Sequence, residues 1–361
     1  MSSKKHTLAV VIGRHEPLHV AHTVLHRKAF HIAENVLILV GSSYCARNIK
    51  NPFTFDERSK MIKNSLSEEE RKRLIVFPLV DNLYSDDAWL KEVQDNIKKA
   101  LSAFQTWTDK GGDGSVVIVG NKKDESSYYL DMFPQYEFES IEEIKMGLDA
   151  TAIRRIMFEE PDKLELMQSL VSEYTFNFMN QFLSMEEYAR LKREYDMVQK
   201  YKSAWAVAPY APTFITVDAV VKKAGHVLMV RRKHAPGEGL LALPGGFLNP
   251  GELIRTACKR ELVEETSIDL PPRLLSSCIS KAPSQVFDHP DRSLRGRTVT
   301  HAFLLDLDVY DTNKIGFPRV KGGDDALEEG TRFYEIGELL TTYREQIYED
   351  HLSIIRSMVG V

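Results

Sequence analysis

Gly246-Phe-Leu-Asn-Pro-Gly-Glu252, followed eight residues later by Arg260-Glu-Leu-Val-Glu-Glu265, decides how the second half of this chain is read. A glycine loop runs into a helical segment carrying Glu261, Glu264 and Glu265 at i, i+3 and i+4. At that spacing the three carboxylates share one helix face within a single turn. Like charges so close repel and add nothing to the helix. A divalent cation reverses the balance, because hard oxygen ligands are what Mg²⁺ selects, with Mn²⁺ as the alternative. A solvated acidic face is the bland alternative; the spacing favours a metal platform for chemistry on a phosphate group.

The array matches, position by position, the signature G-x5-E-x7-R-E-U-x-E-E-x-G-U of the Nudix hydrolases, where U is aliphatic. Gly246, Glu252, Arg260, Glu261, Leu262, Glu264, Glu265 and Ile268 fall in register. Ser267 stands where the pattern has glycine. That residue closes the helix, which Ser can do with some strain. Glu252 has two readings: metal or Arg260 partner, or the N3 member of a capping box opened by Asn249 with Pro250 at N1. The favoured one is a structural role that also holds Arg260.

Downstream, Arg292, Arg295 and Arg297 enter an expected strand at Val299–Leu307. Guanidinium forks suit bidentate binding of a pyrophosphate, against the plain alternative of a solvated basic loop. This segment, with Gly322-Gly-Asp-Asp-Ala326, resembles the ADP-ribose-type Nudix proteins of NAD metabolism.

The chain has 361 residues, enough for two domains, and 43% hydrophobic content supports ordinary globular cores. A net charge of −5 supplies no global basic field for nucleic acid. Cys45, Cys258 and Cys278 form no CxxC pair and suggest no disulfide framework, and Cys258 reads as core packing. The apolar run Leu8–Ile12 is too short for a signal sequence or a membrane span, so a cytoplasmic location is the expectation.

In the first half, strands are expected at Leu8–Gly13, Val36–Gly41, Leu74–Leu79 and Val116–Gly120, with helices near His22–Glu34, Phe55–Leu66 and Ala88–Phe104. Alternation of this kind gives a doubly wound α/β domain. Met167, Leu170, Val171, Tyr174 and Phe178 read as one helical stripe, and Tyr188, Leu191, Tyr195 and Val198 as another. A boundary is expected near Pro209–Pro212, before strands at Thr213–Val221 and Val227–Arg231.

The first strand ends in Gly13-Arg-His-Glu-Pro-Leu-His19-Val-Ala-His22. Backbone amides at the next helix N-terminus are a ready anion site, and His19 and His22 there can stabilise charge on a transferring phosphoryl group. Near the domain's end lies Asp149-Ala-Thr151-Ala-Ile153-Arg154-Arg155, where Thr151 can cap a helix and Arg154 project from its first turn. Together, HxxH and TxxR resemble the nucleotidyltransferase superfamily of adenylyltransferases, which bind the ATP triphosphate with these groups. Gly41-Ser-Ser, Arg47, Asn51-Pro-Phe-Thr54 and Glu57-Arg58 narrow the resemblance to archaeal-type nicotinamide mononucleotide adenylyltransferases. His15 and Ala21 stand where that family usually has Phe and Gly.

By position, the resemblance implies that Gly13, Arg14, His19, His22, Thr151, Arg154, Arg155 and Gly120 serve the nucleotide. Arg47 would meet the phosphate of the mononucleotide, and Asp81 or Trp89 its ribose or nicotinamide; for Trp89 an ordinary core aromatic is the alternative. The two halves in this order resemble the bifunctional nicotinamide mononucleotide adenylyltransferase/Nudix hydrolases. The expected fold is α/β: a Rossmann-like nucleotidyltransferase domain over 1–185, a helical connector over 186–205, and an α/β/α-sandwich Nudix domain over 206–361.

The implied activities are NAD synthesis from Mg-ATP and the mononucleotide, and Mg²⁺-dependent cleavage of ADP-ribose to AMP and ribose 5-phosphate. Small-molecule nucleotides are the expected partners, without nucleic acid or membrane, and a homo-oligomer is left open. Two competing readings are a Nudix half that senses ADP-ribose without cleaving it, and a scaffold assembled through the connector.

Overall fold

In the computed structural model, residues 6–105, 115–121, 132–141, 149–310 and 316–361 are described. The chain divides into two compact units, Met1–Lys192 and Arg193–Val361.

The first unit follows the expected alternation: β1 (His6–Gly13), α1 (Val20–Ile32), β2 (Ala33–Val40), α2 (Phe55–Asn64), α3 (Glu68–Lys72), β3 (Leu74–Pro78), α4 (Asp86–Gln105) and β4 (Val116–Gly120). A fifth strand, β5 (Glu137–Ser140), carries too little apolar sequence to be read in advance. The sheet order is β3-β2-β1-β4-β5, every pair parallel. Chain direction across the sheet therefore switches between β1 and β4. At such a point the crossovers diverge and leave a crevice at the strands' C-terminal ends, where ligands bind. Register puts Gly13 beside Val40 and Val11 beside Val119, so the turn after β1 and the end of β4 meet at that edge.

Then come α5 (Ala150–Glu159), a 3-10 helix (Pro161–Leu170), α6 (Glu173–Phe182) and α7 (Glu186–Trp205). The stripe expected to run from Met167 to Phe178 is broken. Val171 is extended, and Ser172 restarts the chain as an N-cap, its hydroxyl accepting from Thr175 N at 3.2 Å. A local cap outcompetes continuation of the apolar period. The expected cap at Thr151 is likewise corrected: Asp149 caps α5, accepting from Ala152 N at 2.8 Å, and Thr151 lies inside the first turn.

The second unit contains β6 (Thr213–Lys223), β7 (His226–Arg232), β8 (Leu241–Ala242), β9 (Gly245–Phe247), α8 (Ile254–Thr266), α9 (Pro272–Lys281), β10 (Ser284–Phe287), β11 (Arg297–Asp306), β12 (Ala326–Glu335), α10 (Ile336–Leu340) and α11 (His351–Val359). Its mixed sheet runs β10-β11-β6-β7-β12, with β11 and β6 parallel, β9 added to β6 and β8 to β7. Ala257, Cys258 and Leu262 of α8 and Leu275, Cys278 and Ile279 of α9 pack on Val217, Ala219, Val221, Phe303 and Leu305 of the sheet. Cys258 is a core residue, as its spacing from Leu262 implied. That packing fixes α8, and with it the side from which its carboxylates project.

Candidate active sites

At the β1–β4 edge the chain leaves β1 through Gly13 and turns at His15, whose φ is +56°. His19 is the N-cap of α1 and His22 the third residue inside. Their rings lie 4.0 Å apart, and His22 Nδ1 accepts from His19 N at 3.4 Å. In the neutral His22 ring the proton is thus on Nε2, a donor at the first turn of a helix, where the dipole favours anions.

The turn is held by two side chains whose partners only the fold reveals. Arg58 of α2 is 1% exposed and donates to Arg14 O and Gly41 O, both at 2.7 Å, and to Ser42 O at 3.1 Å. Its Nε lies 3.1 Å from Glu16 Oε1, and Glu16 Oε2 accepts from Phe53 N at 3.1 Å. Burial pushes Glu16 up to about 8 against the pull of Arg58. Arg154 reaches in from α5 to donate to Glu16 O at 2.5 Å and to Thr151 Oγ1 at 3.3 Å. Burial lowers Arg154 to about 10, so it stays charged at neutral pH. Arg14 and Arg155 are exposed, and Gly120 closes β4.

Asp81 accepts from Ser42 N at 3.0 Å and Ser42 Oγ at 2.5 Å. Arg47 donates twice to Glu57, at 2.6 and 2.8 Å, and to Pro52 O at 2.8 Å, so its guanidinium is oriented by a fork-to-fork pair. Trp89 packs partly buried against the sheet core, 5.9 Å from Phe133.

His15, the residue departing from the adenylyltransferase pattern, is paired with His26. Their Nε2 atoms lie 3.1 Å apart, and His15 Nδ1 is 3.0 Å from Gly13 O. A carbonyl only accepts, so His15 carries its proton on Nδ1 and His26 donates from Nε2. Burial holds His15 well below its usual range and takes His26 down to about 3. A base with a lowered folded value contributes stability that is present above its unfolded value of 6.5 and lost as pH falls toward 3. Thermal stability is expected to drop between pH 6.5 and 4, and less steeply in His26→Leu. Equal slopes in melting experiments on both proteins would remove His26 as a cause.

In the second unit, β9 pairs with β6 so that Gly245 faces Asp218 and Gly246 faces Val217. A Cβ on Gly246 would lie 2.5 Å from Glu261 Oε1, so any side chain there would displace that carboxylate. Glu265 is 7% exposed and accepts from Gly245 N at 3.0 Å. Ser267 closes α8 at φ +43°, the strained left-handed cap the sequence implied. The Gly322-Gly323 loop docks there: Gly323 N donates to Glu265 O at 3.0 Å and Lys321 N to Thr266 O at 2.8 Å.

Arg260 organises the carboxylates. It donates to Glu252 at 2.9 and 3.0 Å, to Glu261 at 2.7 Å, to Glu264 at 3.0 Å and to Phe247 O at 3.1 Å. Glu252 is thus an Arg260 holder. Its bond from Asn249 N, at 3.2 Å, closes a turn ahead of α8, whose N-cap is Leu253, rather than capping the helix. Among the described residues no three His, Cys, Asp or Glu side chains stand gathered as an ion cage. Arg260 takes the place of positive charge between Glu261 and Glu264. Glu265 lies outside the reach of Arg260: burial, with Glu261 and Asp325 near, pushes it up to about 8 against the pull of the Gly245 N–H and of Arg232. A buried carboxylate among other carboxylates is a donor set that a hard divalent cation relieves, so the residues fit the implied metal.

The three downstream arginines diverge. Arg292 is buried and paired through both nitrogens with Asp350 at 2.9 Å. Arg297 bonds the Asp288 carbonyl and lies 3.7 Å from its carboxylate. Arg295 alone turns to the glycine loop, its guanidinium carbon 4.9 Å from the Phe247 ring centre. A buried pair the sequence did not flag sits nearby: Asp218 accepts from Thr300 Oγ1 at 2.6 Å, and His351 Nε2 is 3.9 Å from Asp218 Oδ1.

Comparison with known proteins places both units. The cytidylyltransferase-like family matches residues 10–165 and the NUDIX domain family residues 212–356. The nicotinamide/nicotinic acid mononucleotide adenylyltransferase of Acinetobacter baylyi is 32% identical over 186 residues, covering 52% of this chain and 92% of that protein. The ADP-ribose pyrophosphatase of Methanocaldococcus jannaschii is 34% identical over 145 residues, covering 40% of this chain and 75% of that protein. The crystal structure of a bifunctional NMN adenylyltransferase/ADP-ribose pyrophosphatase from Francisella tularensis, complexed with AMP and Mn ion, is 32% identical, with a TM-score of 0.85 and coverage of 98% of this chain and 99% of that one. Both halves, in this order and over nearly the whole length, are shared, and the chain belongs to the family of bifunctional NMN adenylyltransferase/ADP-ribose pyrophosphatases.

Proposed function

We propose that this protein synthesises NAD from ATP and nicotinamide mononucleotide and cleaves ADP-ribose to AMP and ribose 5-phosphate. One observation carries the reading: a single chain keeps both sets of reacting groups, His19, His22 and Arg154 at the turn after β1, and Glu261, Glu264 and Glu265 on α8. Residues 1–185 would carry the transferase and 206–361 the hydrolase, with 186–205 as connector.

In the transferase the phosphate of the mononucleotide attacks the α-phosphorus of Mg-ATP and pyrophosphate leaves, with no covalent enzyme intermediate. Positioning and charge stabilisation supply most of the catalysis in such transfers. His22 Nε2–H, the α1 N-terminus and Arg154 meet the triphosphate, and Arg58 and Glu16 keep the turn in shape. Arg47, already oriented by Glu57, and Asp81 face the mononucleotide.

In the hydrolase, Glu261, Glu264 and Glu265 would hold Mg²⁺, with Mn²⁺ as a substitute. When bound, the ion neutralises the pyrophosphate and lowers the pKa of an attacking water. Arg260, anchored by Glu252, keeps Glu261 and Glu264 aimed at one place. The intact carboxylates favour hydrolysis over a sensor role. No helix among the described residues is long and apolar enough to cross a membrane.

The test is to incubate the pure protein separately with ATP plus the mononucleotide and with ADP-ribose plus Mg²⁺, and to identify products by chromatography. NAD in the first and AMP in the second are expected. ADP-ribose bound tightly without AMP release would leave a sensor in place of the hydrolase.

A further inference from the structure

His15 stands where the adenylyltransferase pattern usually has Phe, and it does more than fill that space. It is 1% exposed, and its partner His26 is fully buried. Packing alone would be served by two apolar side chains, because a buried imidazole loses hydration that only hydrogen bonds replace. Here the replacement is incomplete: His26 Nδ1 is buried with no hydrogen-bond partner among the described residues. His15 also holds a left-handed backbone at φ +56°, which a side chain adopts at some cost. An unsatisfied nitrogen and a strained turn persist together where position matters more than stability.

What the pair touches is His22. The His15 ring centre lies 4.5 Å from that of His22 and 5.2 Å from that of His26. The bond from His19 N to His22 Nδ1 is 3.4 Å long, near the limit for a hydrogen bond, and by itself orients the His22 ring weakly. His15 is fixed far better. Its Nδ1 donates to Gly13 O at 3.0 Å, and its Nε2 accepts from His26 Nε2 at 3.1 Å. A half-turn of the ring would replace both nitrogens by carbons and break both bonds. A Cβ at Gly13 would lie 3.1 Å from His15 Cε1, so the ring also lies close against the end of β1. Burial keeps both rings uncharged at neutral pH, so this wall places no further cation beside Arg58.

We propose that His15 is a positioning residue for NAD synthesis: locked by Gly13 O and His26, its ring fixes the plane of His22, and with it the direction of the Nε2–H that meets the transferring phosphoryl group. The inference rests on the transferase reading of His22 and deepens it. His26, one helical turn beyond His22 on α1, acts at one further remove by holding His15.

The test compares variants of the full-length protein. His26→Leu removes the donor to His15 Nε2, whereas His26→Gln keeps an N–H to offer it. His26→Leu is expected to lower kcat for NAD synthesis roughly 10-fold, short of the ~10²-fold cost of a full misplacement, with KM for ATP within about twofold of wild type. His26→Gln should recover most of that loss. His15→Asn, which suits the left-handed backbone but has no ring, should lower kcat at least as far as His26→Leu. ADP-ribose cleavage should be unchanged in all three. His26→Leu and His15→Asn are then each combined with His22→Ala. If the pair acts through His22, neither lowers kcat further there.

An equal loss of kcat with and without the His22 ring would overturn the proposal and leave the pair a general structural role. A wild-type kcat in both His26→Leu and His15→Asn, or a His26→Gln protein as slow as His26→Leu, would overturn it as well. Each of these results leaves His22 in the reaction as long as His22→Ala is itself slow. A His22→Ala protein at the wild-type rate would instead overturn the transferase reading of His22, and the proposal with it.

Discussion

Glu265→Gln is expected to cut ADP-ribose hydrolysis roughly 10²- to 10³-fold, the scale for losing one preorganised charge at a reacting centre, with NAD synthesis unchanged. Glutamine keeps the volume and offers an oxygen to Gly245 N, which Glu265 now serves at 3.0 Å, so α8 and the glycine loop should hold their shape. What is removed is a negative charge in a buried position. Burial raises that carboxyl to about 8 in the metal-free site, and a bound cation would favour its charged form. Binding of ADP-ribose should weaken far less, because Arg295 lies outside the carboxylate set. Initial rates over an Mg²⁺ titration, with calorimetric binding of ADP-ribose beside them, separate the two effects. Rapid AMP release by the variant would place the metal site elsewhere.

His22→Ala should lower NAD synthesis by roughly 10²-fold or more, again the effect of losing one preorganised donor, and leave ADP-ribose cleavage untouched. The His22 ring is held from its Nδ1 side by His19 N, which leaves Nε2–H as the donor near the transferring phosphoryl group. The α1 N-terminus keeps its backbone amides in the variant, and Arg154 keeps its anchor on Glu16 O, so ATP binding should fall less than turnover. Pyrophosphate release measured against ATP concentration gives the two parameters apart. Synthesis near the wild-type rate would remove the HxxH element from the reaction.

Much of the fold was legible because its signals are local. Short aliphatic runs alternating with amphipathic segments identified four strands of the first sheet, and glycine-to-glutamate spacing located α8. Where local signals compete, the reading failed. The stripe from Met167 to Phe178 has helical period, yet Ser172 caps a new helix inside it. Asn249 and Glu252 have capping-box spacing, yet they close a turn before α8 begins. The edge strand β5 has no apolar run to announce it.

The candidate sites divide the same way. Helix spacing by itself determined that Glu261, Glu264 and Glu265 share a face, that His19 and His22 sit together after β1, and that Arg154 projects from the start of its helix, because a fixed rise and rotation per residue sets those neighbours. Only the tertiary structure decided what each charge meets. Arg292, Arg295 and Arg297 are adjacent in sequence, but one is spent on Asp350, 58 residues away, and one faces an aromatic ring. Arg154 finds the Glu16 carbonyl 138 residues back, and Arg58 gathers three backbone carbonyls from two different strand ends. A buried ion is stable only where desolvation is offset by partners in good geometry, and those partners come from topology, which residue spacing along the chain does not encode.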